Sequence, residues 1–123
     1  MKVLGIDFVV GTIGDAEVRD AYKFYRETLG IQDALNFGDG ETNTWTEFDT
    51  KPVAFSFGRW EKPGVISIGL AVDDVHKAVE ELRAKGVTIV FEPQEYETCT
   101  MAGIQDPWGN HFILHRRKDG TVG

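Results

Sequence analysis

The stretch "DPWGNHFILHRRK", Asp106 to Lys118, sets a tight turn before a strand-like run in which His111, Ile113 and His115 share one side. Two imidazoles on one face have the chemistry of a metal site or a proton relay, since histidine is a common metal ligand and titrates nearest neutral pH. A structural histidine with no reaction to perform fits the same spacing. Cys99 is the only cysteine, so it forms no internal disulfide, and no Cys-x-x-Cys pair is present to hold zinc. It reads as a small buried hydrophobe. The basic run "HRRK" beginning at His115 has the charge to hold an anion, although a solvated terminal face is the commoner explanation.

The whole chain limits what such residues serve. Its 123 residues suit one domain spanning 1–123 with a modest core. Hydrophobic residues at 41% and charged residues at 27% give the balance of an ordinary globule, not of a disordered chain. No apolar run is long enough to cross a bilayer, and "MKVLGIDFVV" has none of the parts of a secretory leader, so a cytoplasmic protein without a membrane role is expected. The net charge of −7 argues against nucleic acid, whose phosphates need a basic surface, and suits a neutral or cationic small molecule.

The elements that position these residues follow one plan twice. "VLGIDFVV" alternates Leu4, Ile6, Phe8 and Val10 against Gly5, Asp7 and Val9, which predicts a strand with a greasy face and a small, polar one. Asp15 is a plausible N-cap for a helix with Val18, Ala21, Tyr22, Tyr25 and Leu29 on its stripe, ended by Gly30. "NTWTEFDT" and "VAFSFGRW" read as further strands, with a turn at Asp39 and Gly40. "VISIGLAV" and "DDVHKAVEELRAKG" repeat the strand and helix, with Val75, Ala78, Val79 and Leu82 as the stripe, and "VTIVFE", "TCTMAGIQD" and "NHFILHRR" complete the second set. The result is βαβββ twice, module one about 1–61 and module two about 62–118, with a short tail. The greasy face of the first strand of each module is expected to meet the helix. The small residues of the other face leave room for a cavity or for close approach of another backbone.

"AYKFYRETLGI", "IGLAVDDVHKAVEELRAKGVTI" and "DPWGNHFILH", in that order and spacing, resemble the vicinal oxygen chelate superfamily, the glyoxalase, bleomycin-resistance and extradiol dioxygenase fold. The resemblance implies an α+β fold in which the two modules form a cupped, U-shaped mixed sheet with helices on the outer face, commonly completed by dimerisation. It implies no single chemistry, because the superfamily includes isomerases, dioxygenases, transferases and antibiotic-binding proteins. Metal-dependent members take ligands from the first and last strands of each module, positions matched here by Gly5, Phe55, Ser67 and Ile113. Glycine and two hydrocarbons offer no donor and neutral serine is weak, so no metal is expected.

Continued alternation places Trp45, Glu47, Phe55, Phe57, Arg59, Ser67, His111 and Ile113 as ligand contacts inside the cup, with Asp49 beside them. Asp7 and His115 each lie two residues from a lost ligand position and are the candidates for metal-free acid and base work. A structural Asp or His bonded to backbone is the alternative. The expected protein is a cofactor-free homodimer that binds a small aromatic or cationic molecule. The competing expectations are a lyase or isomerase, either metal-free through Asp7 and His115 or with a rearranged metal site, and an interaction module whose cup is filled by its own side chains.

Overall fold

The computed structural model describes residues 1–13, 18–37, 45–48, 50–58, 62 and 64–123. In chain order the elements are β1 (Val3–Thr12), α1 (Val18–Lys23) running into a π-helical turn (Phe24–Thr28), β2 (Asp33–Phe37), β3 (Trp45–Phe48), β4 (Ala54–Gly58), β5 (Ile66–Val72), α2 (Val75–Ala84), β6 (Thr88–Glu95), β7 (Cys99–Gln105) and β8 (His111–Arg117). The caps expected at Asp15 and the turn at Asp39 and Gly40 lie outside the described residues. The chain divides into two compact units, one of residues 8–66 and one of residues 1–7 with 67–123. β1 contributes its first part to the second of these and its remainder to the first.

The described strands form a mixed sheet in the order β2-β3-β4-β1-β5-β8-β7-β6. This corrects the cupped, U-shaped sheet. The order is that of an open sheet with edges at β2 and β6, and each helix packs on one face of its own unit's strands. The physical reason lies in where the ladders break. Register shifts fall in the edge pairs, between Asp33 and Leu35 in β2 and along Ile89, Phe91 and Gln94 in β6. The ladders β1–β4, β3–β4, β5–β8 and β7–β8 run without one. Bulges twist or bend the strand that carries them, so placed at edges they leave the inner ladders regular. Pro93, which donates no backbone hydrogen bond, sits in β6, where an edge tolerates it.

In the unit of residues 8–66, β1 runs parallel to β4, which pairs antiparallel with β3. Phe48 and Phe55 are register partners and share a face with Phe57. Tyr25 meets the rings of Phe55 and Phe57 at centroid distances of 5.0 and 5.6 Å, and Ala21, Tyr22 and Ile31 pack beside them. A Cβ at Gly11 would stand 3.6 Å from Phe55 Cζ, so the odd-numbered residues of β1 lie under the same aromatic cluster. The helix therefore covers the face of Gly11, Phe55 and Phe57, and Phe8 and Val10, buried, lie on the other face. That reverses the expected facing of β1. The aromatic surface of β3 and β4 is the larger one, and burial scales with apolar area.

Leu29, placed by helical spacing on the apolar stripe, is 54% exposed. Its N–H bonds to Phe24 O at 3.0 Å, five residues back. The wider π turn rotates everything after it off the 3.6-residue stripe. Gly30, at φ 73°, ends the turn in a left-handed conformation that favours glycine.

In the other unit, Val75, Ala78, Val79 and Leu82 of α2 pack on Val72, Ala102 and Leu114. Each Val or Leu among them contributes about 1.5–3 kcal/mol when fully buried. Asp74 Oδ1 caps α2 by accepting from Lys77 N at 3.0 Å. Gly86, at φ 81°, follows the last turn, and Val87 N bonds back to Leu82 O at 3.0 Å. With Leu114 and Val72 committed to the helix, alternation turns Ser67, Ala71, Ile113 and His115 to the opposite face, where all four are buried.

Candidate functional site

That opposite face carries a buried charged cluster. Asp7 is 0% exposed and His115 is 4% exposed. His115 Nδ1 donates to Asp7 Oδ2 at 2.5 Å, across 108 residues of sequence. Arg117 Nη1 donates to Asp7 Oδ1 at 3.1 Å, and Gly123 N donates to the same oxygen at 2.9 Å. Burying a carboxylate costs several kcal/mol unless partners satisfy it, and here a ring nitrogen, a guanidinium and a backbone amide do so together. The alternation of β8 accounts for the convergence, because Ile113, His115 and Arg117 fall on one face at a period of two.

The bond at Nδ1 fixes the orientation of the imidazole. A carboxylate that orients an imidazole in this way is a recurring arrangement of general acid–base sites. Beside the cluster, a Cβ at Gly103 would come within 2.3 Å of Phe91 Cε1. The absence of a side chain at residue 103 is what lets the Phe91 ring lie across β7 on this face.

The other residues singled out in sequence are distributed as follows. Ser67 and Ile113 are buried on the same face as His115. His111 is half-buried beside the turn, its Nε2 3.1 Å from Gln105 Nε2. Glu47, half-buried, belongs to the unit of residues 8–66, as do Phe55 and Phe57, which are core packing under Tyr25. Trp45 stands on β3, and Arg59 and Asp49 lie outside the described residues. His76 is exposed and sits 2.8 Å from Glu95 Oε1. Trp108 is 84% exposed at the tip of the turn before β8.

Two participants escaped the sequence reading. Arg117 lies in "HRRK", whose charge suits a solvated face, yet one more step of the alternation that joins Ile113 to His115 reaches it. Gly123 carries no sequence signal for its role, since a backbone amide is common to every residue but proline.

The turn that launches β8 is tied by Asp106. Its Oδ1 accepts from Trp108 N at 3.0 Å and Asn110 N at 2.8 Å, and its Oδ2 accepts from Asn110 Nδ2 at 2.7 Å. Desolvation works to raise the Asp106 carboxyl, but the bonds from Asn110, Trp108 and Gly109 outweigh it and hold it below the usual carboxylate range. A groove of about 410 Å³ lies on the α2 face of the same unit, lined by Leu70, Leu82, Val87, Ile104 and Phe112 with Lys85 and Asp106 also among its lining residues. It faces away from His115.

The four positions at which metal-using relatives would carry ligands do not fit a divalent ion. Gly5 has no side chain, Phe55 is part of the aromatic cluster, Ser67 is a weak neutral donor, and Ile113 is a hydrocarbon. Among the described residues no group of three or more His, Cys, Asp or Glu side chains is placed to hold a metal. No helix among them is long and apolar enough to cross a membrane.

An α+β fold of two strand–helix–three-strand units, with His115 and Arg117 gathered on a buried Asp7 and, among the described residues, no metal-ligand set, defines the class. The chain belongs to the Glyoxalase/Bleomycin resistance protein/Dioxygenase superfamily, whose family model matches residues 5–114. Among solved structures it is similar to a methylmalonyl-CoA epimerase in complex with methylmalonyl-CoA and ammonium, at 19% identity and a TM-score of 0.67 over 99% of this chain and 100% of that one. It is similar to a methylmalonyl-CoA epimerase from Mycobacterium tuberculosis at 17% identity and a TM-score of 0.63, over 92% and 87% of the two chains. A superfamily member from Vibrio splendidus 12B01 matches at 17% identity and a TM-score of 0.59, over 89% and 97%. At such identities the likeness is one of fold.

Proposed function

We propose that this protein is a metal-independent, small-molecule-binding member of the superfamily, acting in the cytoplasm as a homodimer on an aromatic or cationic compound, with Asp7, His115 and Arg117 as its polar centre. The observation that carries this reading is the replacement of all four ligand positions by residues unsuited to a divalent ion, next to a buried, fully hydrogen-bonded carboxylate. Polar groups held in place by their neighbours orient a ligand without reorganisation, which is what a binding site with few polar contacts needs. Metal analysis of the purified protein together with calorimetry against a panel of aromatic amines tests it. Saturable binding by metal-free protein is the expected result, and a stoichiometric divalent ion held by side chains of the chain would sink the proposal.

The 2.5 Å contact of His115 with Asp7 favours a second reading, a metal-free lyase or isomerase. In it His115 takes and returns a proton while Asp7 holds the ring and balances the charge that develops on it. General acid–base work of this kind contributes roughly 10²–10⁴-fold to rate. His115→Ala and Asp7→Asn are expected to lose turnover of an identified substrate by about that factor. Turnover unchanged in both variants would remove this reading.

A further inference from the structure

The groove on the α2 face lies beside an exposed aromatic ring. α2 packs on Val72, Ala102 and Leu114. Leu70, Ile104 and Phe112 are half-buried, two residues outward along the same face of β5, β7 and β8. The helix has ended by then, and Gly86, at φ 81°, turns the chain into β6. Those three side chains, with Leu82, Val87 and Pro107, line the groove of about 410 Å³. Its apolar walls are open to solvent, and such a surface favours an apolar occupant.

The ring stands on the turn that forms one wall of the groove. Asp106 N donates to Asn110 O at 2.9 Å and Gly109 N donates to Asp106 O at 3.1 Å, closing the turn around the bonds of the Asp106 carboxylate. At its tip Trp108 is 84% exposed, so the ring leaves the groove of its own chain open although Asp106 and Pro107 line it. A tryptophan that enters a pocket buries about 150–250 Å². One carried on a fixed backbone loses little freedom in doing so.

We propose that two copies of this chain pair across this surface, each inserting its Trp108 into the groove of the other. Ring and groove are neighbours, so a two-fold axis between them lets each copy give and receive the same contact. The rim charges suit that exchange. Lys85, its side chain 66% exposed and its ammonium 3.4 Å from Glu81 Oε1, lines the groove together with Asp106. Two-fold pairing brings each Lys85 toward the partner's Asp106. Two indoles and the walls that receive them come to roughly 600–1,000 Å², the low end for a specific interface, which fits a weak dimer that forms with rising concentration. The inference rests on the homodimer reading and gives that dimer its seam.

The test uses the full chain, ¹⁵N-labelled. Sedimentation equilibrium gives the dissociation constant, and nuclear magnetic resonance spectra over the same concentrations locate the seam, the Trp108 indole signal being assigned with Trp108→Phe. The indole N–H and the amides of Gly86, Val87 and Thr88 are expected to shift together, with the midpoint found by sedimentation. Trp108→Ala, and Thr88→Arg at an exposed residue lining the groove, are each expected to weaken pairing at least about tenfold. Lys85→Glu is expected to weaken it about threefold at low salt, with a smaller effect at high salt. Circular dichroism establishes that each variant folds, and because ring and groove are altered separately, either side carries the test if a variant on the other misfolds. A dimer in which the Trp108 indole does not shift, or which Trp108→Ala or Thr88→Arg leaves at full strength, overturns the inference while the homodimer reading stands. Assembly that continues past two copies overturns the two-fold exchange. A monomer at every concentration removes the homodimer reading as well, so the two failures are distinguishable.

Discussion

At the scale of single residues, Asp7 is the position on which most depends. Its two oxygens accept three hydrogen bonds, two of them from groups that carry or can take positive charge. Removing one member of a buried ionic cluster costs more than the cluster contributes, because the remaining charges lose their partner without regaining water. Asp7→Asn keeps the shape and removes the charge. It is expected to destabilise the fold by about 3 kcal/mol, the low end for breaking a buried pair, read as a lower denaturation midpoint at unchanged slope. His115 was legible in the sequence as a candidate and Asp7 as its counterpart. Their meeting was not, since the spacing rules that place each on a face reach only a few residues along the chain and the pair is 108 apart.

At the scale of elements, two turns frame β8, and both are tied by an aspartate. Asp106 holds the entry turn through Asn110 and Trp108, and Asp119 holds the exit turn through the backbone and hydroxyl of Thr121, whose bonds also pull its carboxyl below the usual range. The sign follows from the direction of the shifts. A carboxyl depressed in the folded state contributes stability above its unfolded value, near pH 4, and loses it as pH falls through the lower folded value. The amides of Asn110 and Thr121 are therefore expected to keep their protection from hydrogen exchange at pH 5 and to lose it as the pH is taken well below the unfolded value near 4, ahead of the α2 amides. Protection unchanged to that pH would show that the carboxylates do not hold the turns. The two helices illustrate how far periodicity reaches. The stripe of α2, Val75, Ala78, Val79 and Leu82, is buried as its spacing requires. The stripe of the first helix breaks at Leu29, because a π turn changes the period partway along.

At the scale of the whole molecule, the superfamily fold is present with its metal-ligand positions held by residues unsuited to a divalent ion, and the proposed homodimer would cover apolar groups that the chain leaves exposed. Trp108 at 84% exposed and Ile6 at 44% exposed are apolar groups that a second copy would bury. Sedimentation across a hundredfold range of concentration is expected to give a species of twice the chain mass at the upper end. A monomer throughout would remove the dimer from the proposed function. The low cysteine content places no demand on redox conditions in these measurements, as Cys99 is buried.

The sequence by itself determined the repeated strand and helix grammar, the superfamily, and the lack of strong donor side chains at four matched ligand positions. These depend on local periodicity, on capping residues and on side-chain chemistry, all of which are written within short windows. Only the tertiary structure decided that the sheet is open, that the first helix covers Phe55 and Phe57 rather than Phe8 and Val10, and that Asp7 is closed in by His115, Arg117 and Gly123. Each of those outcomes turns on which of two faces buries more apolar area, or on contacts between strands far apart in the chain. Such contacts are set by competition among all the faces of the folded chain, and no single window of sequence contains its competitors.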